Sequence, residues 1–162
     1  MLKNTATQYC DIDFSKISII VKKKENSDFK YTSLKRLGAG FICILNGKGF
    51  FQYGDFSTKL KRGDVLTLDK GSIYEISSES NDFEYVTTEF YLNEDQSFEK
   101  ATIPVYLSFG ENLRFLEKIE TLVTLWNDRA PYYFIETRMM LCDILIDIIK
   151  ATVLEKKTVT GY

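Results

Sequence analysis

Apolar and polar residues follow two different periods along the chain, and the change comes near residue 108. Before that point, short apolar runs alternate with turn residues, which is typical of strands. After it, apolar residues recur at spacings of three and four, which is typical of helices. The pattern predicts a β domain over residues 1–107, a helical pair over 108–154 and a polar linker over 155–162.

Seven strands are predicted from the apolar runs, because turn residues separate them. Asn46-Gly47 and Gly54-Asp55 suit hairpin turns, since these residue types tolerate a positive φ. Short strands at such regular spacing favour a sandwich or barrel over alternating βα units. The predicted strands are Ile17–Lys23, Phe41–Asn46, Gly49–Tyr53, Ser57–Leu60, Val65–Leu68, Tyr74–Ser77 and Phe83–Leu92.

The strand Phe41–Asn46 has the sequence "FICILN" and is apolar on both of its faces. Because successive side chains of a strand point to opposite faces, both faces must be covered. We expect one face to line the interior of the barrel and the other to meet the C-terminal helices. The predicted fold class is therefore mainly β (α+β), a jelly-roll or barrel followed by two antiparallel helices.

The two predicted helices differ in how much of their surface is apolar. The first, about Glu111–Trp126, carries one apolar stripe, whereas the second, about Tyr132–Leu154, is apolar over roughly twice the ordinary arc. Soluble monomers avoid an exposed apolar surface of that size. The pattern favours a homodimer, with burial of both faces within one chain as the alternative. The residues predicted at the dimer contact are Ile135, Met139, Cys142, Ile146 and Ile149.

The composition excludes several classes of function. The 162 residues carry a formal net charge of −2 and include no histidine. Without an imidazole there is no Ser-His-Asp triad, no histidine base and no histidine metal ligand. The weakly acidic chain also offers no basic patch that would bind nucleic acid directly. We predict no catalytic residue, no metal and no cofactor.

The cysteines and the apolar runs indicate the compartment. Cys10, Cys43 and Cys142 are odd in number and widely spaced, which favours free thiols in a reducing, cytoplasmic environment. No apolar run approaches the roughly 18 residues of a membrane span. The sequence therefore predicts a soluble intracellular protein with no membrane partner.

The stretch "KRGDVLTLDKGSIYEIS", residues 61–77, has the spacing of a known motif. It resembles the second cupin motif, in which glycine, proline, glycine, histidine and asparagine follow in that order. Gly63 and Gly71 match, whereas Asp69, Tyr74 and Ser78 stand in place of the proline, histidine and asparagine. The first cupin motif has no counterpart. The resemblance implies a cupin-like barrel without its metal ligands, and with Tyr74 at an inward position.

The order of elements over residues 30–152 resembles the N-terminal half of AraC-type transcription regulators. The resemblance rests on "ILNGKGFFQYGDFSTKLKRGDVLTLDKGSIYEIS", the strand "FEYVTTEFYL" and "WNDRAPYYFIETRMMLCDILIDIIK". It implies that a small-molecule effector binds inside the barrel and that the helical pair forms a homodimer. It also implies that DNA is bound only by a separate helix-turn-helix domain, which this chain lacks; the polar C-terminal end is expected to be the start of the linker toward it.

The same resemblance implies which residues bind the effector. Asn46, before the Gly47 turn, matches the place where arabinose-binding members have a polar or basic contact. Tyr74 and Ile76 match the inward positions after the Gly71 turn. Tyr74, like Tyr85 on the last long strand, could equally be an ordinary core residue, and the sequence departs from the sugar-binding pattern at nearly all of these positions.

Three further candidates lie on the last long strand. Tyr85 and Thr87 match inward positions, and a period of two places Glu89 on the same face. Arg36 is a candidate contact if the effector is an anion, with an ordinary surface arginine as the alternative. Two other functions stay open: a stand-alone cupin-type enzyme, such as an isomerase or epimerase, and a ligandless barrel that serves only for dimerisation.

Overall fold

The computed structural model of the chain describes residues 12–159, so Cys10 lies outside the described residues. Within that range the chain forms strands first and helices last, as the periodicity predicts. The strands are β1 Phe14–Glu25, β2 Lys30–Ser33, β3 Gly40–Asn46, β4 Gly49–Tyr53, β5 Phe56–Leu60, β6 Asp64–Leu68, β7 Tyr74–Ser78, β8 Phe83–Leu92 and β9 Tyr106–Ser108. The helices are α1 Leu113–Asp128 and α2 Tyr133–Val159.

The strands form two antiparallel sheets. A five-stranded sheet has the order β1-β8-β3-β6-β9, and a four-stranded sheet has the order β2-β7-β4-β5. The mainly β fold with two C-terminal helices is confirmed, but the barrel is not closed. Among the described residues, β1 and β2 end their sheets on the same side without pairing to each other, so the domain is an open sandwich there.

Two separate cores lie on the two faces of the five-stranded sheet. Ile42 and Ile44 of β3 face the opposite sheet and pack with residues such as Phe51 and Ile76. The alternate residues Phe41, Cys43 and Leu45 face the helices and belong to the second core. The prediction that both faces of β3 are covered is therefore confirmed.

The helices pack on the outer face of the five-stranded sheet. Asn112 caps α1, because its side-chain oxygen accepts a hydrogen bond from the Phe115 amide at 3.1 Å. Arg129 ends the helix in the left-handed conformation, with φ of 52°. The inner face of α2 carries buried residues, namely Leu141, Ile144, Leu145 and Ile148. No helix in the described part of the chain is long and apolar enough to span a membrane.

The outer face of α2 is apolar and exposed within this single chain. Ile135, Met139 and Ile146 are 64%, 67% and 48% exposed, and Cys142 lies between them. Ile149 differs from the other predicted contact residues, because it is half-buried and packs against the helix-side core. Within the described residues this face is not covered, so the alternative that one chain buries both faces of the helix is wrong there for Ile135, Met139 and Ile146.

Some boundaries differ from the sequence prediction. Strands β2 and β9 were not predicted, and β1 is longer than predicted at both ends. Helix α2 continues to Val159, so most of the segment predicted as a linker from residue 155 is helical.

Candidate functional site

A cavity of about 200 Å³ lies between the two sheets, at the side where β1 and β2 leave the sandwich open. Its walls combine apolar and aromatic side chains with a few charged and hydroxyl groups, which is typical of small-molecule sites. The lining residues are Ile19, Val21, Lys23, Phe29, Tyr31, Arg36, Ile42, Tyr74, Ile76, Tyr85, Thr87, Thr88 and Glu89. Six of the seven predicted effector contacts therefore lie around one cavity.

Arg36 is a buried residue rather than an ordinary surface arginine, since only 8% of it is exposed. Its Nε donates to the Gly38 carbonyl at 2.9 Å and its Nη1 donates to the Tyr74 hydroxyl at 3.1 Å. Its Nη2 donates to the Thr88 carbonyl. All three partners are uncharged, and no carboxylate of the described residues lies within 4.0 Å of the guanidinium.

The close approach of Arg36 to β8 depends on Gly40. A Cβ atom at Gly40 would lie 2.8 Å from the Thr88 carbonyl carbon and would overlap the guanidinium. Glycine is therefore required here for space rather than for backbone conformation, and it lets the chain place the arginine against the Thr88 carbonyl.

Two tyrosines of the cavity have different environments. Burial raises the pKa of the Tyr74 phenol, and the nearby Arg36 guanidinium offsets part of that rise. Burial also raises the pKa of Tyr85. The Tyr74 hydroxyl accepts the hydrogen bond from Arg36, whereas no described residue forms a hydrogen bond with the hydroxyl of Tyr85. Both phenols are therefore neutral at physiological pH, and that of Tyr85 is available to a ligand.

Thr87 and Glu89 follow Tyr85 on the same face of β8 and are both half-buried. Within residues 12–159, neither side chain has a hydrogen bond or an ion pair with another residue. The resemblance placed Thr87 at an inward position and the period of two placed Glu89 on the same face, and both line the cavity; that they bind a ligand remains a prediction.

Asn46 lies outside the cavity. It is the last residue of β3, its side chain is exposed, and its Nδ2 donates weakly to Asp82 at 3.4 Å. The pairing of β3 with β8 shifts between Ile44 and Asn46, so the strand alternation no longer holds at this position. The structure therefore does not bring Asn46 together with the other predicted contacts.

Several cavity residues were not among the sequence candidates. Ile19, Val21 and Lys23 come from β1, and their spacing of two within a predicted strand was the signal that could have found them. Phe29 and Tyr31 come from the short segment around β2, which had no recognisable pattern. Among residues 12–159, no three Cys, Asp or Glu side chains come together in a way that could hold a metal ion.

No protein-family model and no curated protein sequence matches the chain. Solved structures of ToxT from Vibrio cholerae do match it. An apo ToxT variant has a TM-score of 0.61 at 12% identity, over 82% of this chain and 55% of ToxT. ToxT is an AraC-family regulator, and the matched part is its N-terminal domain. This chain shares the fold of that part of ToxT.

Two further ToxT structures were solved with bound organic acids. Wild-type ToxT with an unsaturated fatty acid has a TM-score of 0.53 at 12% identity, over 93% of this chain and 57% of ToxT. ToxT with a naphthalene-bearing butenoic acid has a TM-score of 0.51 at 8% identity, over 81% of this chain and 57% of ToxT. The chain thus spans little more than half the length of ToxT. Identities this low establish a shared fold and no correspondence between individual residues.

Proposed function

We propose that this chain is the effector-sensing and dimerisation domain of an AraC-type transcription regulator. The observation that carries the proposal is the cavity between the sheets, where Tyr85, Thr87 and Glu89 present polar groups without protein partners. These polar atoms are not among the fully buried atoms that lack a partner, so they are open to the cavity, where a ligand can bind them in place of water. The organic acids bound to ToxT support a sensing function for the shared fold.

The cavity volume limits the size of the effector. Liquid water occupies about 30 Å³ per molecule, so a cavity of about 200 Å³ corresponds to roughly seven waters. This volume lies below the approximately 300 Å³ at the lower end of drug-sized pockets. The effector is therefore a small metabolite, with on the order of ten non-hydrogen atoms, rather than a long-chain lipid.

Nuclear magnetic resonance on the labelled chain tests effector binding. The probes are a panel of short and long carboxylic acids, amino acids and sugars. We expect at least one probe to shift the amide resonances of Tyr85, Thr87 and Glu89, and we expect Thr87→Phe to abolish the shifts because its ring fills the cavity. Thr32→Phe is the matched control, since Thr32 is exposed on β2. A panel that leaves the cavity resonances unchanged contradicts the proposal.

We infer that the exposed face of α2 is the homodimer contact. Ile135, Met139, Cys142 and Ile146 are spaced four, three and four residues apart and form one apolar stripe, in the manner of a coiled-coil seam. The stripe is symmetric about the midpoint between residues 140 and 141. Two antiparallel copies therefore place position 135 against 146 and position 139 against 142, as a two-fold contact requires.

The charges beside the stripe have the same symmetry. Arg138 and Asp143 flank it and are equidistant from its midpoint, so each arginine would face the aspartate of the partner. Within one chain these residues already have partners, since Arg138 donates to the Phe14 carbonyl at 2.6 Å and Lys118 contacts Asp143 at 3.1 Å. Arg138 also has a carboxylate partner within the chain, Asp13 at 3.5 Å. The charges are therefore compatible with the antiparallel register, and the apolar stripe supplies most of the contact.

Two measurements test the dimer. Met139→Glu is expected to give a monomer in analytical ultracentrifugation at a concentration where the unaltered chain is dimeric. Leu34→Glu is the control and is expected to leave the dimer intact, because Leu34 is exposed on another surface. Ile135→Cys with Ile146→Cys, in a background without Cys10 and Cys142, is expected to give a covalent dimer with a short bis-maleimide. A monomeric unaltered chain contradicts the proposal.

The regulatory step follows from the position of β8 between the cavity and the helices. Tyr85, Thr87 and Glu89 face the cavity, while Val86 and Phe90 face the helix-side core. A ligand that favours one placement of β8 therefore shifts the population of helix arrangements. DNA is bound by the separate domain of the complete regulator. We propose no enzymatic activity, and the ToxT neighbours are regulators rather than enzymes.

A further inference from the structure

The guanidinium of Arg36 retains binding capacity toward the cavity. An arginine has five N–H donors, and three are engaged by Gly38, Tyr74 and Thr88. These acceptors are neutral, and no carboxylate of the described residues lies within 4.0 Å of the guanidinium. A buried charge is costly unless it is paired. A ligand anion at the two remaining donors would supply that pairing.

A carboxylate without a partner lies next to this cation. A Cβ atom placed on Gly38 would lie 2.9 Å from Glu89 Cγ and 3.3 Å from Glu89 Oε1, so the acidic side chain lies alongside the residue whose carbonyl Arg36 binds. Tyr74 is within electrostatic reach of both groups, since Arg36 lowers and Glu89 raises the pKa of its phenol. Opposite charges therefore lie at one end of the cavity without contacting each other.

The rest of the cavity is mainly apolar. Ile19, Val21, Ile42 and Ile76 line it, and Phe29 stacks obliquely on Tyr85 with ring centroids 5.9 Å apart. The remaining charged residue, Lys23, is exposed, so its charge is largely screened by solvent. The site thus combines one buried cation, one half-buried anion and an apolar body.

We infer that the effector is a small zwitterion with an apolar body, of the chemical class of an aliphatic α-amino acid. Its carboxylate binds the free donors of Arg36, its ammonium group binds the Glu89 carboxylate, and its side chain lies among the apolar residues. A ligand with both charges neutralises both protein groups at once. A simple carboxylic acid would leave Glu89 unpaired beside a second anion. This inference rests on the proposed sensing function.

Three matched probes test the inference by calorimetry and by the amide shifts described above. They are L-leucine, 4-methylpentanoate, which lacks the amine, and 3-methylbutylamine, which lacks the carboxylate. We expect the unaltered chain to bind L-leucine about tenfold more tightly than either of the other two probes, because each of those lacks one hydrogen-bonded charged group, and the lower end of the contribution of such a bond corresponds to about a factor of ten.

Substitutions assign the two ends of the ligand. Glu89→Gln is expected to remove the preference of the chain for L-leucine over 4-methylpentanoate. Glu75→Gln is the matched control and is expected to retain that preference, because Glu75 lies on β7 outside the cavity and is paired with Lys30 at 3.4 Å. Arg36→Lys is expected to weaken L-leucine and 4-methylpentanoate together. If Arg36→Lys does not fold, the Glu89 variant alone decides.

Two results overturn the inference. One is 4-methylpentanoate binding as tightly as L-leucine to the unaltered chain, and the other is no binding of L-leucine at millimolar concentration. In either case, cavity shifts caused by another member of the wider panel would leave the proposed sensing function standing. The absence of cavity shifts with every probe would remove both.

Discussion

Two tyrosines in one cavity offer a direct test of its hydrogen bonding, because Tyr74 and Tyr85 are each 5% exposed and differ in whether the hydroxyl has a partner. Phenylalanine removes only the hydroxyl. In Tyr74→Phe the Arg36 Nη1 loses its acceptor at 3.1 Å. Hydrogen bonds to charged groups contribute about 1.5–3 kcal/mol. Because water can enter the cavity, we expect the lower end, a loss of about 1.5 kcal/mol in the free energy of unfolding.

Tyr85→Phe is expected to change the free energy of unfolding by less than about 0.5 kcal/mol, since no protein hydrogen bond is lost. Urea denaturation followed by circular dichroism measures both variants. With a denaturant slope of about 2 kcal/mol per molar, the midpoint shifts by about 0.7 M for Tyr74→Phe and by about a third of that or less for Tyr85→Phe. Equal losses, or a larger loss for Tyr85→Phe, would refute the assignment of the Arg36 hydrogen bond.

Three further expectations follow from the packing. Burial raises the pKa of the Cys43 thiol from 9.0 to about 12. Because the unfolded chain releases this proton at lower pH than the folded chain, the free energy of unfolding should fall by up to about 4 kcal/mol between pH 9 and 12. Urea titrations at several pH values should find this decrease much reduced in Cys43→Ala. Gly40→Ala should lower the free energy of unfolding by more than about 3 kcal/mol, because the new Cβ overlaps the backbone. Gly54→Ala should lower it by about 1 kcal/mol, since nothing lies within 4 Å of the new Cβ and only the φ of +58° is unfavourable. Similar urea midpoints for the two variants would contradict this. In dilute solution, Ile148→Ala should lower the free energy of unfolding by about 3 kcal/mol and Ile146→Ala by less than about 1 kcal/mol. The difference is expected because Ile148 is fully buried and Ile146 is 48% exposed. The opposite order in thermal melts would mean that the inner face of α2 is assigned wrongly.

The elements that the sequence predicted well are those in which burial repeats with a regular period. Strand β8 alternates between the two cores along most of its length, and β3 is buried on both faces, so both were recognisable from apolar residues alone. Strand β2 escaped prediction because only Ser33 of its four residues is buried. Strand β9 has three residues and depends on pairing with β6, a long-range contact that leaves no local pattern.

Regularity of the strand also separates the site residues that were placed correctly from those that were not. Tyr85, Thr87 and Glu89 were placed correctly because they lie in the regular part of one strand. Asn46 was carried over from the family resemblance alone, and in this chain an irregularity in the pairing of β3 with β8 precedes it. The depth of Arg36 could not be predicted, since it lies between strands and is buried by contacts with residues far away in sequence, such as Thr88 at a separation of 52 positions.

The alternate residues of strand β8 contact different parts of the domain, and under the proposed sensing function this separation lets ligand selectivity change independently of helix packing. Tyr85, Thr87 and Glu89 can be exchanged to suit another metabolite while Val86 and Phe90 keep the helices docked. Neighbouring positions are only about 3.3 Å apart along the strand, so the ligand-facing residues stay next to the helix-facing residues when they are exchanged. A library restricted to these three positions is a practical way to redirect the domain to other small molecules.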